Sequence, residues 1–263
     1  MTLATDTVAL LAARLQRASV DVQAGTPLSD DFPNLTEADA YAIQTELLRL
    51  TGGTRAGYKL GFTSAAMREQ MGVDHPNCGV LLADMRLADG RLPAGALIQP
   101  RVEPEIAILL GRDLHGSRLT SDDVAAATEA VLPAIEVVDS RYRDYRFKSV
   151  DNIADNSSAA RYVLGAPRAL SDVGDLRLVG VQLSIDGVGV DRGVGAAALD
   201  SPLAAVAWLA AHLAARGEGL RAGEVILTGG LTRAYALEPG QTACAGFGHG
   251  LGEVRLLHCG QAA

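Results

Sequence analysis

Two glutamates stand two residues apart in Arg101-Val102-Glu103-Pro104-Glu105-Ile106-Ala107-Ile108-Leu109-Leu110, and a third follows in Leu132-Pro133-Ala134-Ile135-Glu136-Val137-Val138-Asp139. Both stretches read as strands, and in a strand residues i and i+2 point to one face. Glu103 and Glu105 are therefore expected to project together beside an otherwise apolar run. Unpaired buried carboxylates are too costly to keep for packing alone. A divalent cation would neutralise the three, and carboxylate oxygens suit Mg²⁺ or Mn²⁺. The spacing leaves a second arrangement open, with Glu103 and Glu105 on a solvated edge and Glu136 paired with an arginine.

Other groups have the right chemistry for a site. Lys59 sits in Gly57-Tyr58-Lys59-Leu60-Gly61-Phe62-Thr63-Ser64, a glycine-flanked strand pattern. It could bind a substrate carboxylate or carry a proton, or it could face solvent. Asp155-Asn156-Ser157-Ser158 has the make-up of an Asx-type turn that aims amides and hydroxyls at a ligand, or of an ordinary polar turn. In Thr228-Gly229-Gly230-Leu231-Thr232 the glycines allow backbone N–H groups to approach an anion, or simply close a tight turn. Gly187-Val188-Gly189-Val190-Asp191-Arg192-Gly193 is no dinucleotide fingerprint and reads as a hairpin. A phosphate-binding loop, a nucleophile elbow and the zinc-protease His-Glu-x-x-His are all missing. The five histidines are scattered.

The elements that must position these residues can be read from periodicity. Val8, Leu11 and Leu15 recur at helical spacing, and Thr36-Glu37-Ala38-Asp39 has the form of a capping box. It opens a helix with an apolar face of Ala40, Ile43, Leu47 and Leu50, ended by Gly52-Gly53. From Gly57 onward short strands and turns dominate, broken by a helix after Thr120 and another that begins at Ser201-Pro202. The reading is an α+β protein with an N-terminal helical region, residues 1–55, and a β-rich catalytic domain, residues 56–263.

The chain has 263 residues, of which 48% are apolar, enough for a sizeable core. Its net charge of −8 and the lack of a basic run argue against nucleic acid as a partner. Three cysteines without a C-x-x-C pair fit a reducing compartment. No signal peptide and no membrane span are expected, which places the protein in the cytoplasm.

Taken in order, the segments resemble the 2-keto-4-pentenoate hydratase and 4-oxalocrotonate decarboxylase family of the fumarylacetoacetate hydrolase superfamily. The resemblance runs from Phe32-Pro33 and Ala38-Asp39-Ala40-Tyr41-Ala42-Ile43-Gln44, through Lys59-Leu60-Gly61-Phe62-Thr63-Ser64 and Met71-Gly72-Val73-Asp74. It continues through Gly79-Val80-Leu81-Leu82, Pro100-Arg101-Val102-Glu103-Pro104-Glu105 and Pro133-Ala134-Ile135-Glu136-Val137-Val138-Asp139-Ser140-Arg141. Ala154-Asp155-Asn156-Ser157-Ser158, Thr228-Gly229-Gly230 and Gly250-Leu251-Gly252-Glu253-Val254 complete it. The resemblance implies a mixed β-roll, Mg²⁺ or Mn²⁺ on Glu103, Glu105 and Glu136, Lys59 as an active-site lysine, and Ser158 in the substrate pocket. It also implies a homo-oligomer, which could associate with a family hydratase or decarboxylase.

Asp139-Ser140-Arg141-Tyr142, Tyr145-Arg146-Phe147-Lys148 and Ser157-Ser158-Ala159-Ala160-Arg161-Tyr162 look like the decarboxylase branch; hydratases tend to have tryptophan near position 145. The activity implied is metal-dependent decarboxylation of an unsaturated 2-oxo dicarboxylic acid to a 2-hydroxydienoic acid. Arg161 is the candidate grip for the leaving carboxylate, with Thr228 and Gly229 further substrate contacts. A hydratase of 2-hydroxy-2,4-dienoates is the runner-up, a C–C hydrolase a weaker choice, and a non-catalytic assembly subunit the alternative of another class. In one place the sequence departs from the pattern, because Asn77 stands where many relatives have an acid.

Overall fold

The computed structural model describes residues 3–260, apart from the Ala66 side chain; the outer ends of the two expected regions, at residues 1 and 263, lie outside the described residues. Three helices come first, α1 Thr5–Val20, α2 Leu28–Asp31 and α3 Glu37–Thr51. There follow β1 Arg55–Gly61, α4 Ala65–Met71, β2 Asn77–Leu82, β3 Arg91–Leu92 and β4 Arg101–Leu110. The middle of the chain holds α5 Ser121–Ala127, β5 Thr128–Val138, α6 Ser149–Ala154, β6 Ala159–Leu164 and α7 Leu170–Val173. Then come β7 Gly180–Ile185, β8 Val188–Val194, α8 Pro202–Ala214, β9 Val225–Leu227, β10 Tyr235–Ala236, β11 Thr242–Phe247 and β12 Gly252–His258.

The strands build two curled sheets. One has the order β2-β1-β9-β4-β5-β6 with β10 on the end of β4; the other runs β3-β12-β11-β7-β8. In β4 the even positions are apolar. Val102, Ile106 and Ile108 enter the main core with Leu183, Ala243, Ala245, Val254 and Leu256 of the second sheet. The odd positions face the other way, where Ala107 meets Leu81, Leu132, Ala134, Tyr162 and Leu227 in a smaller cluster. Glu103 and Glu105 share that second face, at the polar end of it.

The expected helix signals appear where the sequence puts them. Thr36 and Asp39 close a reciprocal capping box, and so do Thr120 and Asp123. The short helices α4 and α6 were not foreseen, since six or seven residues carry too little periodicity. The expectation that no stretch is apolar enough to span a membrane needs correction. Gly195–Ala214 is long and apolar enough by length and composition. Its apolarity has a local cause: Ala205, Val206, Leu209, Ala210 and Leu213 are buried against the sheets as a core helix.

The N-terminal helices also set the site. Gln44 of α3 is buried, and its amide donates to the carbonyls of Cys78 in β2 and Ile153 in α6. Asp151 accepts from the Ser29 amide and hydroxyl of α2, which anchors α6. Gln44→Leu should take one hydrogen bond from each of these two buried carbonyls, of which Ile153 keeps a backbone donor at the end of α6, and cost about 0.5–1.5 kcal/mol for each. Urea unfolding of this variant is expected to show that loss; unchanged stability would mean the two carbonyls find other partners.

Candidate active site

The register of β4 against β5 brings the three glutamates together. Glu103 faces Glu136 directly across the ladder, and Glu105, opposite Ala134, projects to the same side. Their ligand atoms all lie within 4.8 Å of one another. Glu105 and Glu136 are fully buried, while Glu103 opens on the cavity. Lys59 reaches in from β1, with Nζ 3.1 Å from Glu136 Oε2 and 2.9 Å from the Ser157 carbonyl it donates to. The approach to Glu136 is an ion pair without aligned hydrogen-bond geometry. Among the described residues, Glu105 Oε1 and both Glu136 oxygens have no hydrogen-bond partner.

This electrostatic arrangement is costly as it stands. Burial pushes the Glu103 carboxyl up to about 7; Lys59 and Arg101 oppose the rise and Glu136 adds to it. Glu105 is held well above the ordinary carboxylate range by burial, then by Glu136 and Glu103. Burial would depress the Lys59 ammonium, but Glu136, Glu103 and Glu105 outweigh it and raise its pKa. One ammonium faces three carboxylates. Three converging carboxylates, with orphaned buried oxygens on Glu105 and Glu136, fit a hard divalent cation held by Glu103, Glu105 and Glu136.

The surroundings explain the glycines. Gly229 donates its N–H to Glu105 Oε2 at 2.7 Å, and at φ +111° it leaves no room for a Cβ beside the Thr63 hydroxyl. Pro104 lies in the middle of β4, where β9 has ended and the chain after Gly229 crosses over; Leu231 N–H donates to its carbonyl at 3.0 Å. Asn156, Ser157 and Ser158 all have left-handed φ, between 51° and 57°. Three such non-glycine residues in a row are strained. They are locked by the Asn156 side chain, which bonds Val80 N and O at 2.8 and 2.9 Å, and by the buried Arg141–Asp155 ion pair. Burial lifts Asp155 to about 6 against the pull of Arg141.

A cavity of about 220 Å³ opens above the carboxylates. Lys59, Glu103, Asn152, Ser157, Ser158 and Gly230 form its inner end. Arg101, Val138, Tyr145 and Phe147 form one wall, and Phe62, Thr63, Met67 and Met71 another. The structure thus gathers Lys59, Glu103, Glu105, Glu136 and Ser158. It does not gather Arg161. The β5–β6 register pairs Arg161 with Val137, on the face opposite Glu136, and its guanidinium donates to the Ala160 carbonyl. Thr228 is also elsewhere: it is fully buried and its hydroxyl donates to Ile106 O at 2.8 Å. Gly229 does bind an anion, but the anion is Glu105 of the protein itself. Sequence reasoning passed over Arg101, although it shares the i, i+2, i+4 face with both glutamates. Tyr145 was marked only through the segment that resembles the decarboxylase branch, and Asn152 carried no local signal.

The C-terminal profile of fumarylacetoacetate (FAA) hydrolase matches residues 66–256. This chain belongs to that family. Over 255 residues it is 44% identical to a 2-keto-4-pentenoate hydratase of Burkholderia vietnamiensis, covering 95% of this chain and 97% of the relative. A 4-oxalocrotonate decarboxylase of Pseudomonas putida is 40% identical over 258 residues, 96% of this chain and 97% of the relative. The structure of a 4-oxalocrotonate decarboxylase from Pseudomonas putida G7, complexed with magnesium and adipate, superposes with a TM-score of 0.93. That pair is 38% identical and covers 98% of this chain and 99% of the other. The fold is thus the mixed roll of this family, and its relatives include both lyase types.

The raised carboxyls give a pH test. A carboxyl whose folded pKa exceeds its unfolded value takes up protons on folding, so cation-free stability falls as pH rises from about 4.5 through about 7. Mg²⁺ should therefore raise Tm more at pH 8 than at pH 6. Glu105→Gln should be no less stable than wild type without cation at pH 8, and its Mg²⁺ response should be lost. Differential scanning fluorimetry reads both; an undiminished Mg²⁺ shift in the variant would remove Glu105 from the ligand set.

Proposed function

We propose that this chain is a divalent-metal-dependent decarboxylase acting on an unsaturated 2-oxo dicarboxylic acid of the 2-oxo-3-hexenedioate type. The observation that carries this reading is the second cation of the cavity. Arg101 shares the β4 face with Glu103, about 7 Å away along the strand. Its guanidinium lies 4.1 Å from the centre of the Tyr145 ring, which fixes its plane. Tyr145 is itself fixed, donating from its hydroxyl to the carbonyls of Val138 and Gln99 at 2.9 and 3.1 Å. A substrate with one carboxylate next to its 2-oxo group and another at the far end needs two cationic poles. The adipate in the related Pseudomonas putida decarboxylase lacks the 2-oxo group but also carries a carboxylate at each end, which supports the reading.

Glu103, Glu105 and Glu136 would hold Mg²⁺ or Mn²⁺, which supplies Lewis-acid polarisation of a 2-oxo oxygen. Arg101 holds the far carboxylate in the plane of the conjugated system. Val138 and Phe147 line the same wall, and a low-dielectric surface favours conversion of a carboxylate into neutral CO₂. When the carbon–carbon bond breaks, its electron pair passes through the double bond to the 2-oxo oxygen. Lys59, kept as an ammonium by its carboxylate neighbours, faces that charge and carries the proton that completes the 2-hydroxydienoic acid.

A hydratase is the second reading, favoured by the 44% identity to the Burkholderia vietnamiensis enzyme. It would use the same carboxylates and lysine but leave Arg101 without a second carboxylate to bind. A purely structural assembly role leaves the buried carboxylates unexplained. Incubation with 2-oxo-3-hexenedioate and Mg²⁺, followed by mass spectrometry, separates the enzymes: CO₂ in step with substrate loss is expected. A hydroxylated 2-oxo acid without CO₂ would establish the hydratase.

Arg101→Gln should weaken the dicarboxylate by about 1.5–3 kcal/mol, a ten- to hundredfold change. The loss should fall on KM more than on kcat, because the charge Arg101 binds disappears during the reaction. A monocarboxylate of equal length should be affected little. Equal effects on both would remove Arg101 from the substrate site.

A further inference from the structure

We infer that Asn77 and Asn152 form a one-way hydrogen-bond relay, started by Lys59, that presents the Ser158 hydroxyl to the cavity as a donor for an anionic oxygen of the ligand. The inference rests on the 2-oxo acid reading above. The links are continuous, the first of them long. Lys59 Nζ lies 3.5 Å from Ser157 Oγ, and Ser157 Oγ is 2.9 Å from Asn77 Oδ1. Asn77 Nδ2 is 2.8 Å from Asn152 Oδ1, and Asn152 Nδ2 is 3.1 Å from Ser158 Oγ. All four polar residues after the lysine are at most 4% exposed, so their hydrogens must be satisfied within the chain or by a ligand.

The direction of the relay follows from the donor inventory. A lysine ammonium has three donors and no acceptor, so Ser157 Oγ must accept from it. The Ser157 hydrogen then goes to Asn77 Oδ1. This turns the Asn77 amide so that Nδ2 donates to Asn152, and Asn152 in turn donates to Ser158. The reverse direction would set Ser157 Oγ between two donors with its own hydrogen unspent, which is costly in a buried place. In the direction given, Ser158 Oγ accepts from Asn152 and its hydrogen is left for the cavity that it lines. The strained left-handed run over Asn156, Ser157 and Ser158 serves this geometry. It puts the Ser157 carbonyl on Lys59 and the Ser158 hydroxyl at the opposite end of the relay. Gly61 is required as well, since a Cβ there would strike both Asn77 Oδ1 and Ser157 Oγ.

An aspartate at position 77 or 152 cannot donate. It would still accept from the group before it, but would turn the last link around, drawing the Ser158 hydrogen away from the cavity. Asn77 and Asn152 are therefore positioning residues that act through Ser158. Their test is a set of binding cycles, read by calorimetry with 2-oxopentanoate as probe in excess Mg²⁺. Ser158→Ala should weaken binding about tenfold. Asn77→Asp and Asn152→Asp should each give a similar loss. In the Ser158→Ala background neither should add more than about twofold, because the output of the relay is already gone. Additive losses, or a silent Ser158→Ala, would overturn the relay while leaving the 2-oxo acid reading intact. If the wild-type protein with Mg²⁺ binds no probe at all, both fall. Should Asn77→Asp fail to fold, Asn152→Asp tests the same link nearer the cavity.

Discussion

Three carboxylates and one ammonium share a buried pocket, and most of the architecture around them is a response to that charge. Placing carboxylates on facing positions of adjacent strands makes their convergence a matter of register, fixed by the apolar residues on the other face of β4 and β5. A slip of one residue would send Glu103 and Glu105 into the core between the sheets. The large apolar interface between the two sheets thus serves the site as well as the fold, holding like charges where they would not settle alone.

The remaining features near the site supply partners for that charge or room for it. Gly229 offers a backbone N–H to Glu105 where no side chain fits. The left-handed turn at Asn156–Ser158 delivers a carbonyl to Lys59. Arg141 and Asp155 clamp the base of that turn, and the helices α2, α3 and α6 support it from behind through Ser29, Gln44 and Asp151. Backbone strain beside the cavity, held by several independent contacts, is characteristic of a site built to keep one geometry.

Much of this was legible in the sequence because it depends on local rules. The i, i+2 spacing of Glu103 and Glu105 placed them on one face, and the capping residues Thr36 and Thr120 marked helices that form. What sequence could not give is the result of pairing between distant segments. Arg161 looked suitable from its neighbours, but strand register turned it away from Glu136. Thr228 looked like a ligand contact, yet its hydroxyl is taken by the Ile106 carbonyl. Arg101 could have been found by extending the same two-residue spacing backward. Asn77 drew notice only as a departure from the family pattern; that it is buried and bonded to Asn152 and Ser157 depends on contacts some 75 to 80 residues apart in the chain.

The central claim is that the three carboxylates converge to hold one divalent cation. The most direct measurement is a titration of the protein with Mn²⁺ at pH 8, with free ion followed by electron paramagnetic resonance. One ion per chain should be taken up by the wild type, and that uptake should vanish in Glu136→Gln with the fold unchanged by circular dichroism. Absence of stoichiometric uptake by the wild type, or the same uptake by the variant, would contradict the account.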